Sequence, residues 1–550
     1  MASWMGSISQ KFDSLSPARR KAIFTFLLLA LWLFFLWRAT LVYGPATDVN
    51  NVPYNSDSAI PVLMSNEERP VTIFNLYYYG TDRWGAWPFL LTQLVHRATG
   101  YRWTDQSLFV VQVFWLFVGA LVAFGLGGRD GLAAALAYLV ALCLHTESRL
   151  QIFELSQLYA WQTGALLFAW YGLRRFYESY PLPAEKRAGL WRAAWLALTL
   201  FFSFLAVWSS RASIIFLFII LHLEVLRAWG KGREKLEGRR LLRPYLLGFA
   251  TVAAAALLET VQKLNYHRHG LKHYGQDFAT QFHLDTGHLS QNLATQFAHI
   301  SKLAWWPLYV LPALGLLALV GCFAYAYFAR RKGLLDKLRA ALAEDTLILA
   351  AGAYAIAAVN FTLTVLVDHV RINIYDDRFL TLTNLFGPLS GLLTVSLLIK
   401  LAAGRSAHLG SYARLAFPLI MAVLLAVKFP PVIHAPAYDL IKEGADEMVR
   451  RVPRAVIIGT YWETYVFPSL QGDNPMMAVP MEGHEVRMPW TKAEVRRARE
   501  VIYAQRRDMP WTAVKVPERL EQYGASLRLI DPKWFENGWY VFALYVNETQ

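Results

Sequence analysis

The sequence predicts a mainly α-helical, polytopic membrane protein of about eleven spans, with a small C-terminal α/β domain on the extracytoplasmic side. Three observations support this prediction. Of the 550 residues, 55% are hydrophobic and 17% are charged, and the mean hydropathy is +0.29. Apolar runs of about 20 residues recur, each long enough to cross a hydrocarbon core of roughly 30 Å. Basic clusters stand on every second loop between these runs, as is typical of cytoplasmic loops.

The apolar runs define a predicted membrane domain, residues 1–428. They are residues 22–41, 108–126, 132–144, 158–173, 193–208, 212–228, 244–260, 303–328, 346–367, 379–399 and 415–428. Arg19, Arg20 and Lys21 precede the first run, so we expect the N-terminus in the cytoplasm. Because no small-residue cleavage pattern follows that run, we interpret it as a retained span rather than a signal peptide. An odd number of spans then places the C-terminal domain, residues 429–550, outside.

The charge distribution argues against a nucleic-acid partner. The net charge is +14, yet residues 429–550 hold 15 Lys+Arg and 16 Asp+Glu, so the excess lies in short loops between spans, where it can contact lipid headgroups. In the tail, alternation predicts strands at 456–459 and 539–546 and a charged helix at 491–507. Cys143 and Cys322 both lie in apolar runs and indicate neither a disulfide framework nor a metal site.

The first external loop, residues 44–105, is too polar to cross a bilayer and too rich in apolar and aromatic residues for a passive linker. Asp57 stands there among small polar residues. The tyrosines at 77–79 follow, and residues 88–91 open a half-apolar segment that could lie on the membrane surface. We predict that this loop holds the catalytic carboxylate of a membrane enzyme.

Charged residues recur in the other predicted external segments. They include Asp82 and Arg83, Glu147, Arg149 and Glu154, Arg211, and Asp368, Arg371, Asp376, Asp377 and Arg378. A charge at the bilayer edge is costly unless it is paired or faces water. We therefore expect these groups to share one polar cavity, which would suit a substrate with an anionic phosphate and a polar sugar.

Sugar transfer from a lipid phosphate needs a base for the incoming hydroxyl and cations for the departing phosphate. Asp57 is the predicted base, and Glu147 is the second predicted catalytic carboxylate. Arg83 and Arg378 are predicted to hold the phosphate through bidentate geometry. The remaining predicted substrate contacts are Tyr79, Asp82, Glu154, Arg211 and Tyr375.

The span order and these positions resemble the GT-C superfamily of integral-membrane glycosyltransferases, of the aminoarabinose-transferase and protein O-mannosyltransferase type. Asp57 matches the acidic residue that the family places shortly after span one, and Glu147 matches a second acidic position. Asp82-Arg83 resembles the family's acidic-basic pair, although Trp84-Gly85 replace its prolines. Residues 375–380 resemble the family's acidic-Arg-Tyr-Leu element, with Phe379 in place of tyrosine.

The resemblance implies an inverting enzyme of a bacterial inner membrane. It would use a polyprenyl-phosphate sugar and a glycan, lipid or protein acceptor. The first loop has no Asp-x-Asp motif. In this respect the chain resembles the metal-independent branch of the family, so no metal or cofactor is expected.

Several alternatives stay open at this point. Asp57 could cap a helix, and the tyrosines at 77–79 could be interfacial anchors rather than sugar-stacking groups. The histidines of residues 261–302 do not have zinc-site spacing, and we interpret that loop as a lid. At the level of function, the rivals are a lipid-linked glycan transporter and an O-antigen ligase-like enzyme. A transporter is disfavoured by the lack of repeated halves.

Overall fold

The fold is a helical bundle followed by a strand-containing C-terminal part. The computed structural model describes residues 16–42, 54–79, 84–144, 152–155, 157–180, 186–231, 239–269, 284–372, 377–403, 407–428, 436–472, 475–507 and 516–550. The bundle helices are α1 (Pro17–Val42), α2 (Ser56–Ser65), α3 (Trp87–Thr99), α4 (Asp105–Leu126), α5 (Gly131–Leu144), α6 (Tyr159–Ser179), α7 (Lys186–Ser209), α8 (Ser213–Gly230), α9 (Arg239–Arg268), α10 (Leu289–Ser301), α11 (Pro307–Phe328), α12 (Lys332–Leu342), α13 (Asp345–Leu366), α14 (Asp368–Ile372), α15 (Thr381–Ala403) and α16 (Ala407–Lys428).

The helices confirm a polytopic membrane protein. Among the described residues, α4, α7, α8, α9, α11, α13 and α15 contain segments long and apolar enough to cross a membrane. Shorter apolar segments, Thr25–Leu41 and Ala416–Lys428, lie in α1 and α16. Each of the eleven predicted spans coincides with a helix, the two others being α5 and α6. The number of helices that actually cross stays a prediction.

A buried ionic network joins α6, α8 and α13. The fully buried carboxylate of Glu224 accepts hydrogen bonds from Trp170 Nε1 at 2.7 Å and Arg174 Nη2 at 2.8 Å. It also accepts one from Arg227 Nε at 2.6 Å, and Arg227 Nη1 reaches Asp345 Oδ1 at 2.9 Å. Because charges inside an apolar bundle are costly unless paired, this network fixes the three helices against one another.

The half-apolar segment predicted near residue 88 is the amphipathic helix α3. Its buried face includes Trp87, Phe89 and Gln93, whereas Leu91 and Leu94 on the other face are more than half exposed. Gly100, in the left-handed region at φ 74°, ends the helix.

The C-terminal part is built on a six-stranded mixed sheet. Its elements are α17 (Pro436–Arg451), β1 (Val456–Gly459), α18 (Tyr461–Thr464), α19 (Val466–Leu470), β2 (Ala478–Pro480), α20 (Lys492–Arg497), β3 (Glu500–Arg506), β4 (Arg519–Gln522), β5 (Ala525–Glu536) and β6 (Tyr540–Asn547). The strand order is β2-β1-β3-β6-β5-β4, with β1 parallel to β2 and β3 and the other pairs antiparallel.

The predicted strands at 456–459 and 539–546 correspond to β1 and β6, but the predicted helix at 491–507 is wrong. A 3₁₀ turn that ends at Thr491 and the short α20 are helical there, and β3 follows them. Val501 and Ile502 are fully buried in β3, which pairs with β1 on one side and β6 on the other. Pairing on both edges outweighs the helical preference of the charged residues before it.

Candidate active site

Asp57 lies in the first turn of α2, where the helix end favours a negative charge. The cap of this helix is Asn55, whose Oδ1 accepts hydrogen bonds from the backbone N–H of Asp57 at 3.0 Å and Ser58 at 3.3 Å. The interpretation of Asp57 as the N-cap is therefore wrong, and its carboxylate is left to contact other groups.

A tyrosine of the C-terminal part meets this carboxylate. The Tyr461 hydroxyl, on α18, donates a hydrogen bond to Asp57 Oδ1. Burial raises the pKa of Tyr461 well above its usual value, and the negative charge of Asp57 acts in the same direction, so the tyrosine is a neutral donor. The Tyr78 hydroxyl donates to the backbone oxygen of Asp57 at 2.6 Å. The segment around Asp57 is thus held from two sides.

Arg487 places a buried cation beside this pair, with only 6% of the residue exposed. Its Nε lies 3.3 Å from the Tyr461 hydroxyl, and its Nη2 lies 3.3 Å from Glu485 Oε2. Its Nη1 approaches the backbone oxygen of Tyr79 at 3.5 Å. Burial alone would lower the pKa of Arg487, but the Tyr461 hydroxyl and the Glu485 carboxylate raise it, so the guanidinium stays charged.

Further polar contacts seat the C-terminal part on the first loop. Tyr54 and Ser469 join their hydroxyls at 3.1 Å, and the backbone N–H of Tyr465 donates to Ser56 Oγ at 3.2 Å. The Tyr465 hydroxyl accepts from the backbone N–H of Arg487 at 2.9 Å. Because Tyr54 and Ser56 flank the cap of α2, these contacts fix Asp57 relative to Arg487.

The predicted tyrosine cluster is internal. Tyr77, Tyr78 and Tyr79 are at most 5% exposed, so the expectation of interfacial anchors is wrong for them. The Tyr79 hydroxyl donates to Glu67 Oε2 at 3.1 Å. Its ring packs edge-on against Trp490 at 5.4 Å, so Tyr79 also helps to join the loop to the C-terminal part.

Arg211 belongs to a neighbouring cluster. Its Nε donates to Glu259 Oε2 at 2.9 Å, and the Tyr77 hydroxyl lies 3.4 Å from Glu259 Oε1. Half of the Arg211 side chain is exposed, whereas Glu259 is buried. Since Tyr77 and Tyr78 are adjacent in the chain, this cluster continues from the surroundings of Asp57.

A close backbone approach holds the loop against α7. Gly85 N–H donates to the Trp208 backbone oxygen at 2.8 Å, and a Cβ at residue 85 would lie 2.1 Å from the Trp208 ring. Trp208 Nε1 in turn donates to the Leu76 oxygen at 3.0 Å. A glycine at residue 85 is therefore required by packing.

A third polar cluster connects the segment before α10 to α14. Asp285 Oδ2 accepts from Arg371 Nε at 2.7 Å, and Oδ1 contacts His288 Nδ1 at 2.7 Å. Burial alone would raise the pKa of Asp285, but hydrogen bonds from Arg371, His288 and Asn292 outweigh it and hold that pKa well below the usual value. Arg371 and His288 thus have structural partners here.

The structure brings together only part of the predicted site. Asp57 and Tyr79 meet around Arg487, and Arg211 lies in the adjoining cluster. The backbone oxygen of Glu154 accepts a hydrogen bond from Gln112 Nε2 at 3.1 Å. The predictions for Glu147, Asp82, Arg83 and Tyr375 lie outside the described residues, as does the side chain of Arg378.

Tyr461, Arg487 and Glu259 are the polar groups that sequence reasoning missed. Tyr461 comes 404 positions after Asp57, and no pattern in the chain links them. One clue was present: Tyr461 follows β1, and groups at the carboxyl ends of parallel strands often face ligands.

Solved structures similar to this chain share little of its sequence. No family model and no curated protein matches the sequence. Among solved structures, ArnT from Cupriavidus metallidurans bound to undecaprenyl phosphate is 11% identical, with a TM-score of 0.48 over 96% of this chain and 98% of that one. The oligosaccharyltransferase AglB from Archaeoglobus fulgidus, in complex with an inhibitory peptide and a dolichol-phosphate, is 13% identical. Its TM-score is 0.39, over 87% of this chain and 69% of AglB. The arabinosyltransferase EmbB from Mycobacterium smegmatis is 14% identical, with a TM-score of 0.29 over 83% of this chain and 43% of EmbB.

These similar structures are of the GT-C type, the type that the sequence resemblance named. What the chain does must be argued from its own side chains.

Proposed function

We propose that this chain is a glycosyltransferase that moves a sugar from a polyprenyl-phosphate donor to an acceptor hydroxyl on the extracytoplasmic face of the membrane. The contact of the Tyr461 hydroxyl with the Asp57 carboxylate carries the proposal. An acceptor hydroxyl must adopt the same arrangement before a base removes its proton.

In the proposed reaction, the acceptor oxygen bonds to the anomeric carbon of the sugar while the bond from that carbon to the phosphate oxygen breaks. Asp57 takes the acceptor proton, and the polyprenyl phosphate leaves with both electrons of the broken bond. Tyr461 must give up its place on Asp57 when the acceptor enters. Inversion at the anomeric carbon is implied by the family resemblance.

The leaving phosphate needs cations. Arg83 and Arg378 remain the proposed phosphate ligands, and Arg487 adds a third cation near Asp57. A buried guanidinium is a strong partner for phosphate because it offers several donors in one plane. Glu147 is proposed to orient the donor or the acceptor. The other proposed substrate contacts are Tyr79, Asp82, Glu154, Arg211 and Tyr375.

The proposed partners are membrane lipids, the lipid-linked donor, and an acceptor that is a glycan, a lipid or a protein. Polyprenyl phosphates are also the ligands named for two of the similar structures, ArnT and AglB. The proposed location is a bacterial inner membrane with the C-terminal part on the periplasmic side, since the basic loops would then face the cytoplasm.

The test is sugar transfer by the full chain in proteoliposomes, using a panel of labelled polyprenyl-phosphate sugars and lipid, glycan and peptide acceptors. We expect transferred product from the wild type. Glu68→Gln should give product as the wild type does, because Glu68 is an exposed carboxylate of the first loop that pairs with Arg102. Movement of labelled lipid across the bilayer without product would instead support a transporter, and product from diphosphate donors alone would support the ligase-like alternative.

A further inference from the structure

The helices α11 and α15 are tightly packed at one end and separate toward the other. A Cβ on Gly387 would lie 2.4 Å from the Tyr309 ring, and one on Gly391 would lie 2.3 Å from the Leu308 oxygen. Two turns further along α11, a Cβ on Gly315 would meet its nearest neighbour only at 3.9 Å. A wedge therefore opens between the two helices.

The wedge opens at the membrane end opposite Asp57. The Asp57 loop leads into the N-terminus of α4, whereas the wedge reaches Asp130, which follows the C-terminus of α4. Since α4 has 22 residues, these two ends are roughly 33 Å apart. The wedge is thus separate from the candidate active site.

The wedge holds an apolar cavity of about 1040 Å³ between α11, α13 and α15, with α12 contributing Ala340 and Ala341. Its lining runs from Glu344, the residue before α13, along that helix to Tyr354. That run corresponds to a depth of roughly 15 Å, about half of the hydrocarbon core. Both the depth and the apolar wall fit a lipid acyl chain that lies parallel to the helices.

Four charged groups line the polar end of the cavity: Arg129, Asp130, Glu344 and Lys400. Lys400 Nζ contacts Asp130 Oδ2 and lies 3.3 Å from Glu344 Oε1. Arg129 is exposed, and no hydrogen bond or ion pair of it is found within the described part of the chain. Glu344 is about half exposed. The mouth therefore offers one cation and one carboxylate to a ligand, with no net charge.

We propose that this cavity binds a zwitterionic glycerophospholipid of the leaflet at that end. The phosphate of the lipid lies on Arg129, the ammonium group lies on Glu344, and an acyl chain enters the wedge. A purely anionic head would bind Arg129 but would lie beside the Glu344 carboxylate without an ammonium group to pair with it. Partial burial and the nearby Asp345 raise the pKa of Glu344, while Arg129 and Lys231 act in the opposite direction; a bound ammonium would offset the repulsion between the two carboxylates. The proposal does not depend on the proposed transferase function.

The test measures the lipid that the purified full chain retains after exchange into mixed micelles of phosphatidylethanolamine and phosphatidylglycerol, read by native mass spectrometry. We expect the wild type to retain phosphatidylethanolamine. Gly315→Phe, which fills the wedge, should retain about tenfold less of this lipid. Gly321→Phe is the matched control, because Gly321 lies on the same helix, does not line the cavity, and has nothing within 4 Å of its Cβ position. Equal loss in both variants, or no loss in Gly315→Phe, would overturn the proposal.

The head-group assignment has its own test, which does not require the wedge to be filled. Glu344→Gln leaves a net positive mouth, so the retained ratio of phosphatidylglycerol to phosphatidylethanolamine should rise about tenfold. Arg129→Ala should lower the retention of phosphatidylethanolamine by a similar factor. Unchanged ratios in Glu344→Gln, a wild-type preference for phosphatidylglycerol, or displacement of the lipid by inorganic phosphate would contradict the assignment.

Discussion

At the scale of single residues, the Tyr461 hydroxyl is hydrogen-bonded to Asp57, the carboxylate that we propose as the base. Tyr461 donates to that carboxylate, and Arg487 holds the same hydroxyl from the other side at 3.3 Å. The tyrosine thus resembles a substrate hydroxyl that cannot react, because its attachment to α18 keeps it from the donor. In the proposed reaction, acceptor binding therefore competes with this internal hydrogen bond.

This competition predicts the effect of Tyr461→Phe. A typical hydrogen bond contributes about 1 kcal/mol net, so its removal should lower the acceptor KM about fivefold. The measurement is the initial transfer rate against acceptor concentration at saturating donor. Trp462→Phe is the control, since Trp462 is the exposed neighbouring aromatic. A fall in kcat with unchanged KM would show instead that Tyr461 takes part in the chemical step.

At the scale of elements, the Asp285 cluster predicts a pH-dependent link between the segment before α10 and α14. The pKa of Asp285 is lowered in the folded state. Its contribution to stability is therefore present above the unfolded value, near pH 4, and is lost as the pH falls further. We expect the wild type to have the higher Tm of the two at about pH 5, and its advantage over Asp285→Asn to shrink below about pH 4.

Thermal unfolding in detergent across this pH range provides the measurement. Asp336→Asn, which removes an exposed carboxylate of α12, should leave the Tm close to that of the wild type throughout. A wild-type advantage over Asp285→Asn that persists undiminished at the lowest pH would contradict the account.

The ionic network of α6, α8 and α13 predicts a large effect of Glu224→Gln. Removal of this charge leaves the buried Arg174 and Arg227 with Asp345 as their shared carboxylate, 3.9 Å from Arg174 and 2.9 Å from Arg227. The loss of one partner of a buried ion pair costs about 3–5 kcal/mol, so the Tm in detergent should fall strongly. Glu178→Gln, at the partly exposed edge of the network, should cost much less. Equal effects of the two variants would show that the buried position is unimportant.

Elements were more predictable than contacts between them. Long apolar runs predicted the helices because burial in lipid depends on composition and length alone. The error at residues 491–507 arose because β3 is stabilised by strands distant in the sequence. Asp57 could be selected from its position after the first span. Arg487 and Tyr461 could not, because only tertiary packing brings these distant residues close to Asp57.

At the scale of the whole molecule, the C-terminal part is a component of the candidate site. It contributes Tyr461 and Arg487, and the contacts of Tyr54 and Ser56 seat it on the first loop. The opposite end of the bundle carries the apolar wedge with its balanced charges. The proposed chemistry thus lies at one membrane face and the proposed lipid site at the other.

The central claim is that Asp57 removes the acceptor proton. The most direct measurement is single-turnover transfer from a pre-bound labelled donor by the wild type and Asp57→Asn, together with donor binding to each. The account predicts a loss of about 10²–10⁴-fold in the transfer rate with donor affinity nearly unchanged, while Glu68→Gln behaves as the wild type. Transfer by Asp57→Asn at the wild-type rate would contradict it.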